Sequence, residues 1–188
     1  NDVNVAALGE HLFGAAKGVV CSVFMVISTG VGFSIVKDGK IWRGSHNLAG
    51  QIAHLQLFDK GETVNDAFSG KGISQSASAM LGQYVSTEDV FRLASEGKVE
   101  AKQIIQEATK KAALTIAWIQ NTIDPDVFII GGGVALSEEK FLEQIRRRAG
   151  QLLAKYEAQL PKGLSFRLPL LGSDAGLVGC VALFANNE

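Results

Sequence analysis

Seven residues, Val26-Ile27-Ser28-Thr29-Gly30-Val31-Gly32, constrain this chain more than any other stretch. A run of β-formers (Val19, Val20, Val23, Phe24, Val26, Ile27) stops abruptly at Ser28. A second run, Ser34-Ile35-Val36, leaves the turn and ends at Lys37-Asp38-Gly39-Lys40, an Asp-Gly hairpin signal leading into Ile41-Trp42. The pattern predicts strand, Gly-rich turn, strand. Glycines in such a turn let backbone N–H groups approach an anion closely, and Thr29 adds a hydroxyl donor. The turn alone favours an ordinary hairpin, whose glycines only supply positive φ, over a phosphate-holding one. The rest of the chain changes that balance.

Asn1-Asp2-Val3-Asn4 is a cluster of helix-capping residues. Val5, Leu8, Leu12 and Ala15 follow at helical spacing, and Gly18 is the expected stop. Asp2 therefore sits at or just before a helix N-terminus, where the dipole favours its ionised form. Locally it reads first as a cap. After the hairpin, Arg43 to His54 is a loop of small and polar groups, with His54 expected to be ordered and partly buried. Leu55-Gln56-Leu57 is strand-like. Glu62 to Phe68 reads as one or two helical turns, broken by Ser69-Gly70-Lys71-Gly72, after which Ile73, Ala77 and Leu81 share a helical face. Thr87 is expected to cap the next helix, and Gly97 to end it. The longest helix is predicted from about Val99 to Ile123, with Ile104, Ile105, Ala108, Ala112, Ile116 and Ile119 on its apolar stripe.

Asp124-Pro125 ends that helix. Val127-Phe128-Ile129-Ile130 is a fully apolar strand of the kind buried in a parallel sheet, and it runs into Gly131-Gly132-Gly133. Ser137 is expected to cap the helix that follows. Strand, glycines and helix in that order make a nucleotide-edge geometry, although the full spaced glycine fingerprint is missing. Leu164 to Leu170 gives one more strand, and Gly172 to Gly176 leads into a final small-residue helix. Early antiparallel strands and late strand–helix alternation argue for an α/β domain with a mixed sheet.

Composition excludes several partners. A chain of 188 residues makes one ordinary domain. Its net charge of −1 gives no electrostatic footprint for nucleic acid. No apolar run reaches the roughly 20 residues of a membrane span. Cys21 and Cys180 lie far apart in apolar runs and read as small buried residues of a reduced, cytoplasmic compartment. No signal peptide precedes Asn1, and the missing initiator Met suggests part of a longer polypeptide.

Six motifs in order then carry a resemblance. Asn1-Asp2-Val3-Asn4-Val5-Ala6-Ala7-Leu8-Gly9-Glu10, Ser28-Thr29-Gly30-Val31-Gly32, Leu48-Ala49-Gly50-Gln51-Ile52-Ala53-His54, Ser69-Gly70, Ile130-Gly131-Gly132-Gly133-Val134 and Asp174-Ala175-Gly176-Leu177-Val178-Gly179 resemble the ROK family (repressors, open reading frames and sugar kinases). The resemblance covers the whole chain. It implies an actin-like (ribonuclease-H-like) ATPase lobe: a mixed sheet with an antiparallel hairpin and flanking helices. It implies ATP with Mg2+ and a small-molecule sugar as ligands, and a homodimer. Asp2 matches the catalytic base that takes a proton from the sugar hydroxyl attacking the γ-phosphate. Asn1, Gly50, Gln51, His54 and Asn65 fall on the sugar side. Thr29, Gly30 and Gly32 match the phosphate-contacting hairpin, and Gly131, Gly132 and Gly133 the adenosine-side turn.

Three departures qualify the resemblance. Many members bind a structural zinc through the equivalent of His54 and a Cys-rich loop, but Leu55 to Asn65 contains no cysteine. Zinc needs about four ligands, so a metal-free loop is expected. The usual Glu of the Ala-Gly-Glu segment is Gln51, which donates as well as accepts hydrogen bonds. N-acetylmannosamine kinases of the family share this departure and often carry Ser-Thr-Gly-Val-Gly, which tilts the expected sugar toward an N-acetylated hexosamine. The first Gly of the phosphate hairpin is Ser28 and Phe33 follows Gly32, leaving Thr29, Gly30 and Gly32 intact.

Members also carry an N-terminal lobe with a first phosphate loop, and nothing of that kind precedes Asn1. Residues 1–188 are expected to be a single domain, the C-terminal lobe of a two-lobed kinase, inactive by itself. Its final helix would then have a small apolar face open to another copy or another lobe. The function implied is phosphorylation of a hexose or N-acetylhexosamine 6-hydroxyl, with N-acetylmannosamine as the best match. The alternatives are a sugar-sensing ROK transcription repressor and a sugar-binding remnant without catalysis.

Overall fold

The computed structural model describes residues 1–160 and 163–185. The β-formers on either side of the Gly-rich turn make β1 (Cys21–Ile27) and β2 (Val31–Lys37), antiparallel with Ile27 opposite Val31. Asp38 and Gly39 both take positive φ and turn the chain into β3 (Lys40–Ile41). The apolar run after Pro125 is β4 (Val127–Gly131), parallel to β1. β5 (Phe166–Arg167) lies parallel to β4 and completes a mixed sheet in the order β3-β2-β1-β4-β5.

Alternation along the strands divides the core into two layers. Val23, Met25, Ile27, Phe128 and Ile130 face one side. There they meet α2 (Val64–Phe68), α3 (Gly70–Leu81), α4 (Thr87–Ser95), α5 (Val99–Ile123), α6 (Gly133–Ser137) and α7 (Glu139–Leu152). Phe24, Val36, Val127 and Ile129 face the other side, against α1 (Asp2–Leu12) and α8 (Ala175–Ala185). Each fully buried side chain in these layers contributes roughly 1.5–3 kcal/mol. α1 and α8 approach closely because both carry glycine at the contact. A Cβ on Gly9 would sit 2.5 Å from the Ala175 carbonyl oxygen, and one on Gly179 would run into the Val5 carbonyl.

Several local expectations are corrected. α1 stops at Leu12, well before Gly18, because the Glu10 carboxylate folds back to accept the Ala15 N–H at 2.7 Å. The break expected over Ser69–Gly72 falls at Ser69 alone, which is extended, and Gly70 and Gly72 already belong to the next helix. Ser69 caps α3 through the Gly72 N–H, and a Cβ on Gly72 would collide with the Asn65 and Asp66 carbonyls. Ser86, not Thr87, caps α4. Ser137 ends α6 instead of capping α7, and Glu138 separates the two helices in a non-helical conformation. The strand expected over Leu164–Leu170 shrinks to Phe166–Arg167: Pro169 has no N–H, and Leu170 and Leu171 give theirs to Glu10. Leu55–Leu57 makes only an isolated bridge, Gln56 to Thr63. Cys21 is buried, whereas Cys180 is exposed on α8. Leu177, Val181 and Phe184 of α8 are exposed as well.

Candidate active site

The Gly-rich turn between β1 and β2 is three residues long, closed by a Ser28 N–H to Gly30 carbonyl bond of 2.9 Å. Neither Gly30 nor Gly32 has positive φ, so the ordinary-hairpin explanation of these glycines fails. Gly32 is small because α1 approaches: a Cβ there would lie 2.6 Å from Val3 Cγ2, whereas one on Gly30 would make ordinary contact, 3.5 Å from Asn65 Oδ1. The start of α3 holds the turn from behind. Gly70 N–H donates to the Ser28 carbonyl at 2.7 Å and Lys71 N–H to the Thr29 carbonyl at 3.2 Å. Thr87 Oγ1 donates to the Gly70 carbonyl at 2.7 Å, tying α4 to the same point.

α1 brings a carboxylate to this turn. Asn1 is the N-cap, its Oδ1 accepting from Val3 N–H at 2.9 Å, and Asp2 is the first helical residue. Asp2 Oδ1 accepts from the same N–H at 2.8 Å, which holds the side chain over the helix end. Both residues are exposed and both line a cleft of about 290 Å³. Gly30, Gly32, Gly50 and Gln51 line it too, with Ser28, Phe33 and Ala53. Gly50 reaches the cleft because its φ is +85° and because a Cβ there would lie 2.7 Å from the Phe33 carbonyl oxygen.

Two residues expected on the sugar side are not among those lining the cleft. His54 is exposed, correcting the expectation of partial burial, and is not among the cleft-lining residues. Asn65 lies behind the turn, where its Oδ1 accepts the Val31 N–H at 2.7 Å. The loop between His54 and Asn65 is fastened by Lys111 of α5, which pairs with Glu62 at 2.5 Å and lies over the Phe58 ring.

A second cavity of about 230 Å³ opens on the other side of the turn. Ser28 lines both cavities. Thr29, Thr87, Glu88, Phe91, Gly133, Val134 and Glu138 complete the second. Of the three successive glycines only Gly133 reaches it. Gly131 is buried in β4, where a Cβ would meet Pro169, and Gly132, at φ +95°, lies against the Ile27 backbone. Burial pushes the Glu138 carboxyl above its ordinary value, and the Glu88 carboxylate pushes it further the same way. Ser28, Glu88, Phe91 and Glu138 were not singled out from the sequence. Ser28 stood in the motif as a mere departure, and the other three have no local signature.

The two sides differ in chemistry. The turn offers N–H and hydroxyl donors, which suit an anion such as phosphate. The carboxylate of Asp2 only accepts, which suits a hydroxyl proton. Magnesium is bound by oxygen ligands, keeps several waters and is commonly held through one or two carboxylates plus substrate phosphates. The donor-rich turn fits a metal carried on phosphates, and Asp2 is the carboxylate among the residues lining the cleft.

A sequence model of the ROK family matches residues 1–187. The N-acetylmannosamine kinase of Citrobacter koseri is 32% identical over 97% of this chain and 63% of its own. Among solved structures, the ROK hexokinase of Thermus thermophilus superposes with a TM-score of 0.90 at 29% identity, covering the whole chain and 65% of the hexokinase. A ROK family glucokinase from Streptomyces griseus, solved with glucose and AMPPNP, gives a TM-score of 0.74 at 26% identity, over the whole chain and 67% of the glucokinase. The chain spans less than two thirds of the length of the first two of these proteins.

Proposed function

The chain belongs to the ROK family and has the actin-like ATPase fold of its kinases, and from that premise we propose that it is the sugar- and phosphate-binding lobe of an ATP-dependent sugar kinase. The observation that carries this reading is convergence. Asn1 and Asp2 from α1, Gly30 and Gly32 from the hairpin, and Gly50 and Gln51 from the following loop line one cleft. Ser28 joins that cleft to a second cavity lined by Thr29 and Gly133.

In the proposed reaction the sugar lies against Asn1, Gly50 and Gln51 with its 6-hydroxyl at Asp2. Asp2 accepts the hydroxyl proton as the oxygen attacks the γ-phosphorus of ATP. A new P–O bond forms, the bond to the β-phosphate oxygen breaks, and ADP leaves with the electron pair. A positioned general base contributes about 10²–10⁴-fold. Thr29, Gly30 and Gly32 hold the phosphates with donors, and Gly133 takes the nucleoside side, with Gly131 and Gly132 shaping the turn behind it. When bound, Mg2+ on the phosphates supplies charge neutralisation.

N-acetylmannosamine is the proposed sugar, on the Gln51 departure and on the relative of that name. The hexokinase and glucokinase likenesses make glucose the comparison substrate. The proposed setting is a cytoplasmic homodimer. The unpaired Cys21 and Cys180 support the compartment, and the exposed Leu114 and Trp118, one turn apart on α5, support self-association. The test is ADP release by the full-length polypeptide with N-acetylmannosamine, N-acetylglucosamine, glucose and fructose. Turnover of one sugar supports the reading. Sugar binding without any turnover would replace it with a sugar-sensing repressor.

A further inference from the structure

The structure assigns Asn65 a positioning role, tying the sugar-side loop to the phosphate-side turn so that the two halves of the cleft move together. Asn65 touches both. Its backbone N–H donates to the Ala53 carbonyl at 2.9 Å, and Ala53 lines the cleft beside Gln51. Its side-chain Oδ1 accepts the Val31 N–H at 2.7 Å, at the exit of the Ser28-Thr29-Gly30 turn. One residue therefore reaches the sugar loop through its main chain and the phosphate turn through its side chain. Asn65 is itself held firmly. It lies in the first turn of α2, which is closed by a reciprocal Thr63–Asp66 capping box, and α3 packs on its carbonyl through the missing Cβ of Gly72.

A shift of the Gly50–Ala53 loop around a bound sugar is transmitted to Val31 through this residue, and a shift of the turn around phosphate returns the same way. Such coupling between two ligands is reciprocal, and typical factors are about 5–150-fold. The residue is also neutral. A carboxylate here would accept from Val31 equally well, but would place a negative charge beside the turn proposed to hold phosphate. This inference rests on the kinase reading for its ligands, but the tie itself does not.

The test uses the full-length polypeptide as wild type, Asn65→Ala and Asn65→Asp. Affinity for AMPPNP is measured by calorimetry with and without N-acetylmannosamine, with glucose as a parallel arm, and amide exchange is followed at Val31. In the wild type, sugar is expected to tighten AMPPNP by about fivefold or more. Asn65→Ala should bring that factor close to one and speed exchange at Val31. Asn65→Asp should keep the coupling and the slow exchange while weakening AMPPNP by about tenfold. Equal coupling in wild type and Asn65→Ala would overturn the inference. So would an Asn65→Asp protein as uncoupled as the alanine variant, because the retained acceptor would then be irrelevant. Absence of turnover with every sugar would end the kinase reading alone; unchanged Val31 exchange in Asn65→Ala would end the Asn65 tie alone.

Discussion

Val3 Cγ2 lies 2.6 Å from the point where a Cβ on Gly32 would stand, so the helix that carries Asp2 rests directly on the phosphate-side hairpin. The glycine sets the separation between the proposed base and the proposed phosphate site. Gly32→Ala should therefore push α1 away and lower kcat by about 10²-fold, the cost of a displacement near 1 Å. Val3→Ala in the same protein should recover much of the loss by removing the opposing methyl groups. Steady-state kinetics of the single and double variants of the full-length polypeptide check this; a double variant as slow as Gly32→Ala would show that the contact is not the cause.

Glu10 is fully buried and anchors the other end of α1. Its carboxylate accepts N–H groups from Ala15, Leu170 and Leu171 at 2.7, 3.1 and 2.7 Å. Glu10→Gln turns one acceptor oxygen into a donor facing a donor, which should cost about 1–3 kcal/mol or more. Urea denaturation measures it, and a midpoint equal to wild type would contradict the assignment.

His11 gives the fold a pH dependence. It is buried with Nδ1 2.7 Å from Ser22 Oγ. Burial pushes its pKa below the ordinary value of 6.5, against the weaker opposing pull of Asp126 and Asp38. The unfolded chain then binds a proton more readily than the folded one, so stability falls as pH drops from about 6.5 toward the folded pKa. His11→Asn should remove that part of the decline. Thermal melts of both proteins between neutral and mildly acidic pH check it.

Gln51 lines the cleft and both donates and accepts hydrogen bonds. Gln51→Glu should shift relative kcat/KM between N-acetylmannosamine and glucose, because one donor to the sugar is replaced by an acceptor. Unchanged ratios would remove Gln51 from sugar discrimination.

What could be read from the sequence follows the range of the interactions. β4 and α5 were legible because four consecutive apolar residues and a long apolar stripe are local signals. Asn1, Asp2, Gly30, Gly32, Gly50 and Gln51 could be named from ordered motifs, and the structure brings them to one cleft. The shortness of β5 was not legible, since Glu10 takes the N–H groups of Leu170 and Leu171 from 160 and 161 positions away. Nor was the place of Asn65, whose partner Val31 lies 34 residues earlier. Gly131 and Gly132 were visible as glycines, but their crowding against Pro169 and Ile27 appears only once the sheet is assembled.

In the proposed reaction Asp2 is the base of the phosphoryl transfer. The most direct measurement compares wild type and Asp2→Asn in the full-length polypeptide, reading ADP release with N-acetylmannosamine and, separately, binding of the sugar. Asparagine preserves the helix-capping geometry and removes the proton acceptor. In Asp2→Asn, kcat should fall by about 10²–10⁴-fold with sugar affinity nearly unchanged. A variant that turns over at the wild-type rate would contradict it.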